Sequence, residues 1–372
     1  MRIGIVAYWF NRGQGVVARQ LRSALDDLGH ETYVLARPTR KTNIRPDWID
    51  REGVWAQERV TAASDYAIPA DEYAGWAEET SIEAALFDQN YQFDEIAQLR
   101  AAGIRTAGRF VWEHFAAEHA GPARAAFDIV YSMTACEQER YAAMGIESPR
   151  VRFGCHPDLL ARARDDEEAG PTVSLLFPGG FMSKRKPVAE VIQAFRAAEG
   201  DELRLILKAQ VERRLTEAKR LARGGRRIGR PDPRVEIKSA DLPTDEYMDL
   251  FANSAAILAP SRWEGLGLHL YEATALGLPI VTNDNPPMNE IVSDGLNGLL
   301  VPGIEEGRAR SGIPAYRPDV AALTAAIERL RDPALRAELR AGARARREEL
   351  SWERTKEDLA ALIGSLGSGA TA

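Results

Sequence analysis

Short apolar runs recur along this 372-residue chain, and helix-length amphipathic segments stand between most of them. In the first half the runs are RIGIVAY (2–8), ETYVLA (31–36), IEAALFD (82–88), IRTAGRFVW (104–112) and DIVYSM (128–133). They resume as VSLLFPGG (173–180), LRLILKA (203–209), RVEIKS (234–239), AAILAPS (255–261), PIVTN (279–283) and GLLVPG (298–303). Apolar strands alternating with helices specify parallel sheets, because each parallel pair needs a crossover and the crossover helix packs back on the sheet. The expected fold class is α/β, with two Rossmann-like, doubly wound parallel-sheet domains in series. The length agrees, since it exceeds one ordinary core.

The alternation breaks at PDLLARARDDEEAGPT (157–172), a charge run closed by Gly-Pro, which reads as a linker. The expected domains are 1–160 and 161–350, followed by 351–372, a last helix SWERTKEDLAALIG and a disordered tail SLGSGATA. Thr134 and Glu137 form a capping box that opens a helix ending at Gly145. A hydrophobic fraction of 45% and a charged fraction of 28% fit a soluble chain. No apolar run approaches the roughly 18–20 residues that span a bilayer. The start enters a strand pattern without a basic leader, so a cytoplasmic location is expected.

Cys136 and Cys155 fit no disulfide framework or metal motif and are expected as free thiols. The net charge of −7 argues against a nucleic-acid partner. Arg204 to Arg234 nevertheless holds eleven Lys or Arg residues. This stretch is either a solvated helix and loop or a contact for an anionic polymer or lipid headgroup, that is, a peripheral membrane contact. Residues 39–80 carry Trp48, Trp55, Tyr66, Tyr73 and Trp76, which either pack an insertion onto the first domain or form an acceptor-binding wall.

Gly13, Gly15 and Ala18 stand in G-x-G-x-x-A spacing after the first strand, which raises a nicotinamide site. Two departures count against it. Phe10 to Arg12 separate Trp9 from Gly13, and the second strand ends in VLARPTR with no acid for the ribose. Arg37 leaves only an NADP variant of the idea.

The decisive stretch is APSRWEGLGLHLYEATALGLPIVTNDNPPMNEIVSDGLNGLLVP (259–302). It reads as a strand, a glycine loop, a helix from about Leu268 to Leu276 stopped by Gly277, and another strand. The helix N-terminus favours a phosphate. Glu264 before the helix and Glu272 one turn inside it suit hydroxyl donors on either side, a sugar and a ribose. Glu272 among Leu, Ala and Tyr is costly without such a partner.

This block resembles the retaining glycosyltransferases of family 4 (glycosyl transferases group 1), which have the GT-B fold of two Rossmann-like domains facing a cleft. Glu264 and Glu272 stand in the family's E-x7-E spacing, within patterns similar to S-x-x-E-G-x-G-L and E-I-V-x-D-G-x-N-G-L-L-V. The likeness is strong over about residues 239–302 and looser elsewhere, and LSWERTKEDL resembles the closing segment that returns to the first domain.

The resemblance implies a hexosyltransferase of carbohydrate biosynthesis, moving a sugar from a nucleotide-sugar to a hydroxyl acceptor with retention. The acceptor is a sugar, a lipid-linked sugar, a polymer or a small molecule. No metal and no cofactor are implied, and the sequence shows no Asp-x-Asp cluster. The N-terminal domain would bind the acceptor and the C-terminal domain the donor. Same-fold alternatives are a phosphorylase, a sucrose-synthase-like enzyme, a sugar-nucleotide epimerase or a non-catalytic nucleotide-sugar binder.

Carried over by residue, Glu264 would meet the donor sugar and Glu272 the ribose, with the backbone of Gly265, Leu266, Gly267 and Leu268 at the sugar and diphosphate. Lys186 would face the leaving diphosphate, where negative charge builds in the transition state. Gly180 stands where the family has arginine, so Lys184 or Arg185 supplies that charge or the site holds one cation fewer. Lys208 joins the donor-side candidates. Glu113 or His114 would face the reacting carbon. Gly13, Gln14 and Gly15, extended by Trp9 to Arg12, would line the cleft, and Asp88 to Tyr91 are further acceptor-side candidates. His269, where the family often has proline, either touches the donor or faces solvent.

Overall fold

The computed structural model describes residues 1–43, 45–164, 172–180, 183–210 and 232–368. The chain forms two compact units, Met1–Phe153 with Trp352–Ala372, and Gly154–Ser351. The division falls at 153/154 and 351/352; the charge run suggested 160/161 for the first bound and the last helix 350/351 for the second. Residues 165–171 of that run, 211–231 of the basic stretch and 369–372 of the tail lie outside the described residues.

The first unit runs β1 (Arg2–Tyr8), α1 (Gly13–Asp27), β2 (Glu31–Arg37), β3 (Val60–Ala62), α2 (Ala70–Thr80), β4 (Ala84–Asp88), α3 (Phe93–Ala101), β5 (Arg105–Arg109), α4 (Ala117–Ala126), β6 (Ile129–Tyr131) and α5 (Ala135–Ala143). Its sheet order is β3-β2-β1-β4-β5-β6, all parallel. Five successive residues of β1 are buried, as a strand covered on both faces requires. Thr134 caps α5 with the expected box to Glu137.

The second unit runs α6 (Pro157–Leu160), β7 (Val173–Gly180), α7 (Val188–Ala197), β8 (Leu203–Ala209), β9 (Val235–Ser239), α8 (Thr244–Ala252), β10 (Ala256–Leu258), α9 (Leu268–Ala275), β11 (Ile280–Asn283), α10 (Met288–Ile291), β12 (Gly298–Val301), β13 (Gly303–Arg308), β14 (Pro314–Pro318), α11 (Val320–Arg329) and α12 (Pro333–Glu349). Its main sheet, β12-β11-β10-β7-β8-β9, is also parallel, while β13 and β14 form an antiparallel pair. The expected α/β class with two doubly wound sheets is the fold. In both sheets the strand order reverses at one place, between β1 and β4 and between β7 and β10. Ligands of such sheets bind outside the strands' carboxyl ends at that position.

The last helix, α13 (Trp352–Ser368), belongs to the first unit and packs on α1 and β5. Leu359, Leu362, Ile363 and Leu366 are buried at i, i+3, i+4 and i+7, each contributing about 1.5–3 kcal/mol when fully buried. Arg152 clamps the helix through Asp358 at 2.7 Å. The tail expected from Ser365 is therefore helical through Ser368, because Leu366 continues the apolar row. The second unit begins and ends at neighbours: Cys155 N–H donates to the Leu350 carbonyl at 2.7 Å. A Cβ on Gly154 would lie 2.6 Å from the Ser351 oxygen.

In residues 39–80 the packing alternative holds for Trp55, Tyr73 and Trp76, which are all buried. Both cysteines are free and buried. No helix among the described residues is long and apolar enough to cross a membrane.

Candidate functional site

The β7/β10 reversal brings together two loops of the second unit. One follows β7 and carries Arg185 and Lys186 just before α7; the other follows β10 and carries Ser261 to Gly267 just before α9. Their backbones are joined, since Arg262 N–H donates to the Arg185 carbonyl at 2.9 Å. Gly267 caps α9 at φ +75°, a left-handed conformation that favours glycine and turns the loop into the helix.

Glu264 is buried at the centre of the site. Lys186 Nζ lies 2.7 Å from its Oε1 and donates to Ser261 Oγ at 2.8 Å, while Arg185 Nη1 lies 3.2 Å from Oε2. Burial pushes the Glu264 carboxyl up, but the charges of Arg185 and Lys186, with a smaller effect from His269, outweigh it. The group is held well below the usual carboxylate range. Arg185 thus stands beside the lysine, and Lys184 is exposed.

His269, in the first turn of α9, neither faces solvent nor carries charge. Its Nε2 is buried 3.9 Å from Glu264 Oε1 with no hydrogen-bond partner among the described residues. Burial, then Lys186 and Arg185, push its pKa down to about 3 against the pull of Glu264. Glu272 lies one turn further along. Its carboxyl has no hydrogen bond or ion pair among the described residues, and burial pushes it up to about 7. The two carboxyls of the E-x7-E spacing thus have opposite electrostatics, one pinned ionised by cations and one left half-protonated by burial.

Gly265, Leu266 and Gly267 are buried in this loop, and Leu268 opens α9 half-buried. Lys208, at the end of β8, donates to the Ala209 carbonyl at 2.6 Å and to that of Ala240. Those carbonyls anchor a buried lysine. Ser261 was missed by charge-based reasoning, as was Asn283, whose Nδ2 donates to the Ser261 carbonyl at 3.1 Å. Their signal was position alone, at the carboxyl ends of β10 and β11.

The remaining candidates belong to the first unit. Glu113 and His114 follow β5; Glu113 is 12% exposed and His114 52%, with 3.7 Å between Oε1 and Nε2. Gly13, Gln14 and Gly15 form the first turn of α1. Two features of this turn concern its packing. A Cβ on Gly15 would lie 2.2 Å from the Phe10 carbonyl oxygen, so this glycine makes room for its own loop. Trp9 is fully buried and donates to the Trp55 carbonyl at 3.0 Å, and Phe10 stacks on Trp48 at 4.5 Å, so both pack within the first unit.

Residues 172–332 match the family described as Glycosyl transferases group 1. D-inositol 3-phosphate glycosyltransferase from Acidothermus cellulolyticus is 32% identical over 146 residues, covering 39% of this chain and 29% of that protein. The chain thus spans under a third of that relative. Among solved structures, sucrose-phosphate synthase from Thermosynechococcus elongatus aligns over 100% of both chains with a TM-score of 0.74 and 18% identity. Anabaena HepE in complex with UDP and glucose aligns over 98% of this chain and 100% of its own, with a TM-score of 0.70 and 14% identity. At such identities the likeness carries the fold, the GT-B class of two doubly wound α/β units.

Proposed function

We propose that the chain is a glycosyltransferase that moves a sugar from a nucleotide-sugar to a hydroxyl acceptor, with retention and without a metal ion. The observation that carries this reading is the buried Glu264 held by Lys186 and Arg185 at the mouth of α9, with the unpartnered Glu272 one turn deeper. The match of residues 172–332 to Glycosyl transferases group 1 supports it.

In this reading the ribose hydroxyls donate to Glu272, and the diphosphate lies at the N-terminal backbone of α9. Lys186 and Arg185, already placed by Glu264, balance the charge that builds on the leaving diphosphate. The anomeric carbon–phosphate oxygen bond breaks, the acceptor oxygen bonds to the same face, and its proton passes to the leaving phosphate. Glu264 accepts from the donor sugar's hydroxyls. Positive charge thus comes from side chains, and the reaction is expected to proceed in a chelator.

A thermal-shift panel of UDP-, GDP-, ADP- and dTDP-sugars tests the donor site, because a ligand of the native state raises its apparent stability. One nucleotide is expected to shift the wild type and not Glu272→Ala. Proton NMR of the product then reads anomeric configuration, and the expected co-product is nucleoside diphosphate. Release of sugar phosphate instead would make the enzyme a phosphorylase. No response to any nucleotide-sugar would overturn the reading.

A further inference from the structure

The donor-site chemistry above uses both carboxyls and both cations and leaves His269 without a task. The residue stands in the first turn of α9, and its side chain is only 11% exposed. Burial and the two neighbouring cations keep the ring neutral, so it carries a single N–H.

Nε2 is the ring nitrogen beside the ionised carboxylate, 3.9 Å from Glu264 Oε1. A proton on that nitrogen is attracted by the negative oxygen, whereas a lone pair there is repelled by it, so the N–H belongs on Nε2. The two atoms are too far apart to hydrogen-bond each other. Nε2 is buried all the same and has no hydrogen-bond partner among the described residues. Buried N–H groups of this kind are uncommon and mark places where another molecule completes the bonding.

The carboxylate has the complementary capacity. Its Oε1 receives Lys186 Nζ at 2.7 Å, and a carboxylate oxygen accepts more than one hydrogen bond. Two hydrogen-bond reaches of about 2.8 Å exceed the 3.9 Å gap, so an oxygen bonded to both atoms stands to one side of the line between them. The angle at that oxygen is roughly a right angle, which a hydroxyl donating one bond and accepting another adopts. An ether oxygen accepts without donating, and a methylene does neither.

We propose that His269 Nε2–H and Glu264 Oε1 together grip one hydroxyl of the transferred sugar, the histidine donating to its oxygen and the carboxylate accepting from its O–H. The enzyme thereby selects donors hydroxylated at that position over their deoxy analogues. This role rests on the nucleotide-sugar reading above and deepens it: His269 determines which sugar is accepted and takes no part in holding the nucleotide. A deoxy sugar leaves a buried N–H and a carboxylate oxygen facing hydrocarbon, and sites that lose buried partners in this way discriminate strongly.

The test is calorimetric titration of the whole chain. The probes are UDP-, GDP-, ADP- and dTDP-glucose with their free nucleoside diphosphates, then the 2-, 3-, 4- and 6-deoxy forms of the glucose donor that binds most tightly. The wild type is expected to bind one deoxy form on the order of a hundredfold more weakly than its parent. His269→Phe keeps a buried planar ring and removes the N–H. It should cut that discrimination by about tenfold and leave affinity for the free diphosphate unchanged. His269→Gln, which presents an amide N–H, should restore part of the discrimination, and it carries the test if the phenylalanine variant does not fold.

Equal binding of the parent and all four deoxy forms overturns the role of His269, and so does discrimination unchanged by its substitution. A loss of affinity shared equally by the free diphosphate and every donor would make the residue structural and overturns the role as well. If donors bind but discrimination ignores His269, the glycosyl-transfer reading stands and only the histidine's role falls. If no nucleotide-sugar binds, both fall together.

Discussion

Lys186 Nζ and Glu264 Oε1 lie 2.7 Å apart, both buried, on loops 78 residues apart in sequence. Removing one partner of such a pair leaves an uncompensated buried charge, which typically costs about 3–5 kcal/mol. Lys186→Ala keeps Arg185 on the carboxylate and should cost about 2–3 kcal/mol; Glu264→Ala takes the carboxylate from both cations and should cost more. The Lys186→Met/Glu264→Leu double variant should lose less than the sum of the two, because only Arg185 then lacks its contact with the carboxylate. Urea unfolding checks all three, and additive losses would mean that the pair is not coupled.

Under turnover the same pair separates binding from chemistry. Lys186→Ala should lower kcat by more than it weakens nucleotide affinity, because its charge matters most when the diphosphate leaves. Glu264→Ala should impair sugar transfer more than nucleotide binding. Steady-state kinetics alongside calorimetry with free nucleoside diphosphate decide it, and the reverse ordering would remove the transition-state role.

Glu272 makes stability and binding depend on pH in opposite directions. Its native pKa of about 7 lies above the ordinary 4.5, so the native state holds a proton that the unfolded chain has released. Stability is full below pH 4.5 and declines as pH rises through 7, by about 3 kcal/mol for a shift of this size. Glu272→Gln should therefore stabilise the free protein at pH 8 and not at pH 4. Ribose hydroxyls need the ionised form, so nucleotide affinity should rise through pH 7 with proton release at pH 6. Calorimetry in two buffers of different ionisation enthalpy reads that proton.

His269 should stay neutral across the physiological range, since its pKa is pushed down to about 3. Its imidazole signals, assigned by loss in His269→Asn, should not move between pH 5 and 8. A titration near 6.5 would contradict the burial described.

The two glycines of the first loop should respond differently. Gly15→Ala places a Cβ 2.2 Å from a backbone oxygen and should destabilise by about 1–3 kcal/mol or more, whereas Gly13→Ala meets nothing within 4 Å and should be near neutral. Thermal unfolding of the two single variants is enough to check it.

The parallel strands were legible because full burial writes itself as unbroken apolar runs; RIGIVAY and VSLLFPGG coincide with β1 and β7. β3 was not, since its three residues stand inside an aromatic segment and owe their conformation to β2. GIEEGR is almost wholly exposed, so β13 has no buried face to pattern it. At the site, the Glu264–Glu272 spacing fixed both residues on a loop and its helix. Their opposite protonation was invisible, because it depends on cations from another loop and on depth. Nor does anything local announce that two carbonyls hold Lys208. Arg37 was read only as an NADP ligand, and nothing local announced that the Tyr66 and Gln89 carbonyls hold it buried.

The placement of α13 sets an order on biosynthesis. The row Leu359, Leu362, Ile363 and Leu366 completes a unit whose other residues all precede Gly154. The ribosome must make the whole second unit first, on the order of ten to forty seconds at ordinary elongation rates. Through that interval the nascent first unit displays the apolar surface that α13 later covers, so it is a client for chaperones while the second unit folds. A chain ended at Ser351 would be arrested in that state.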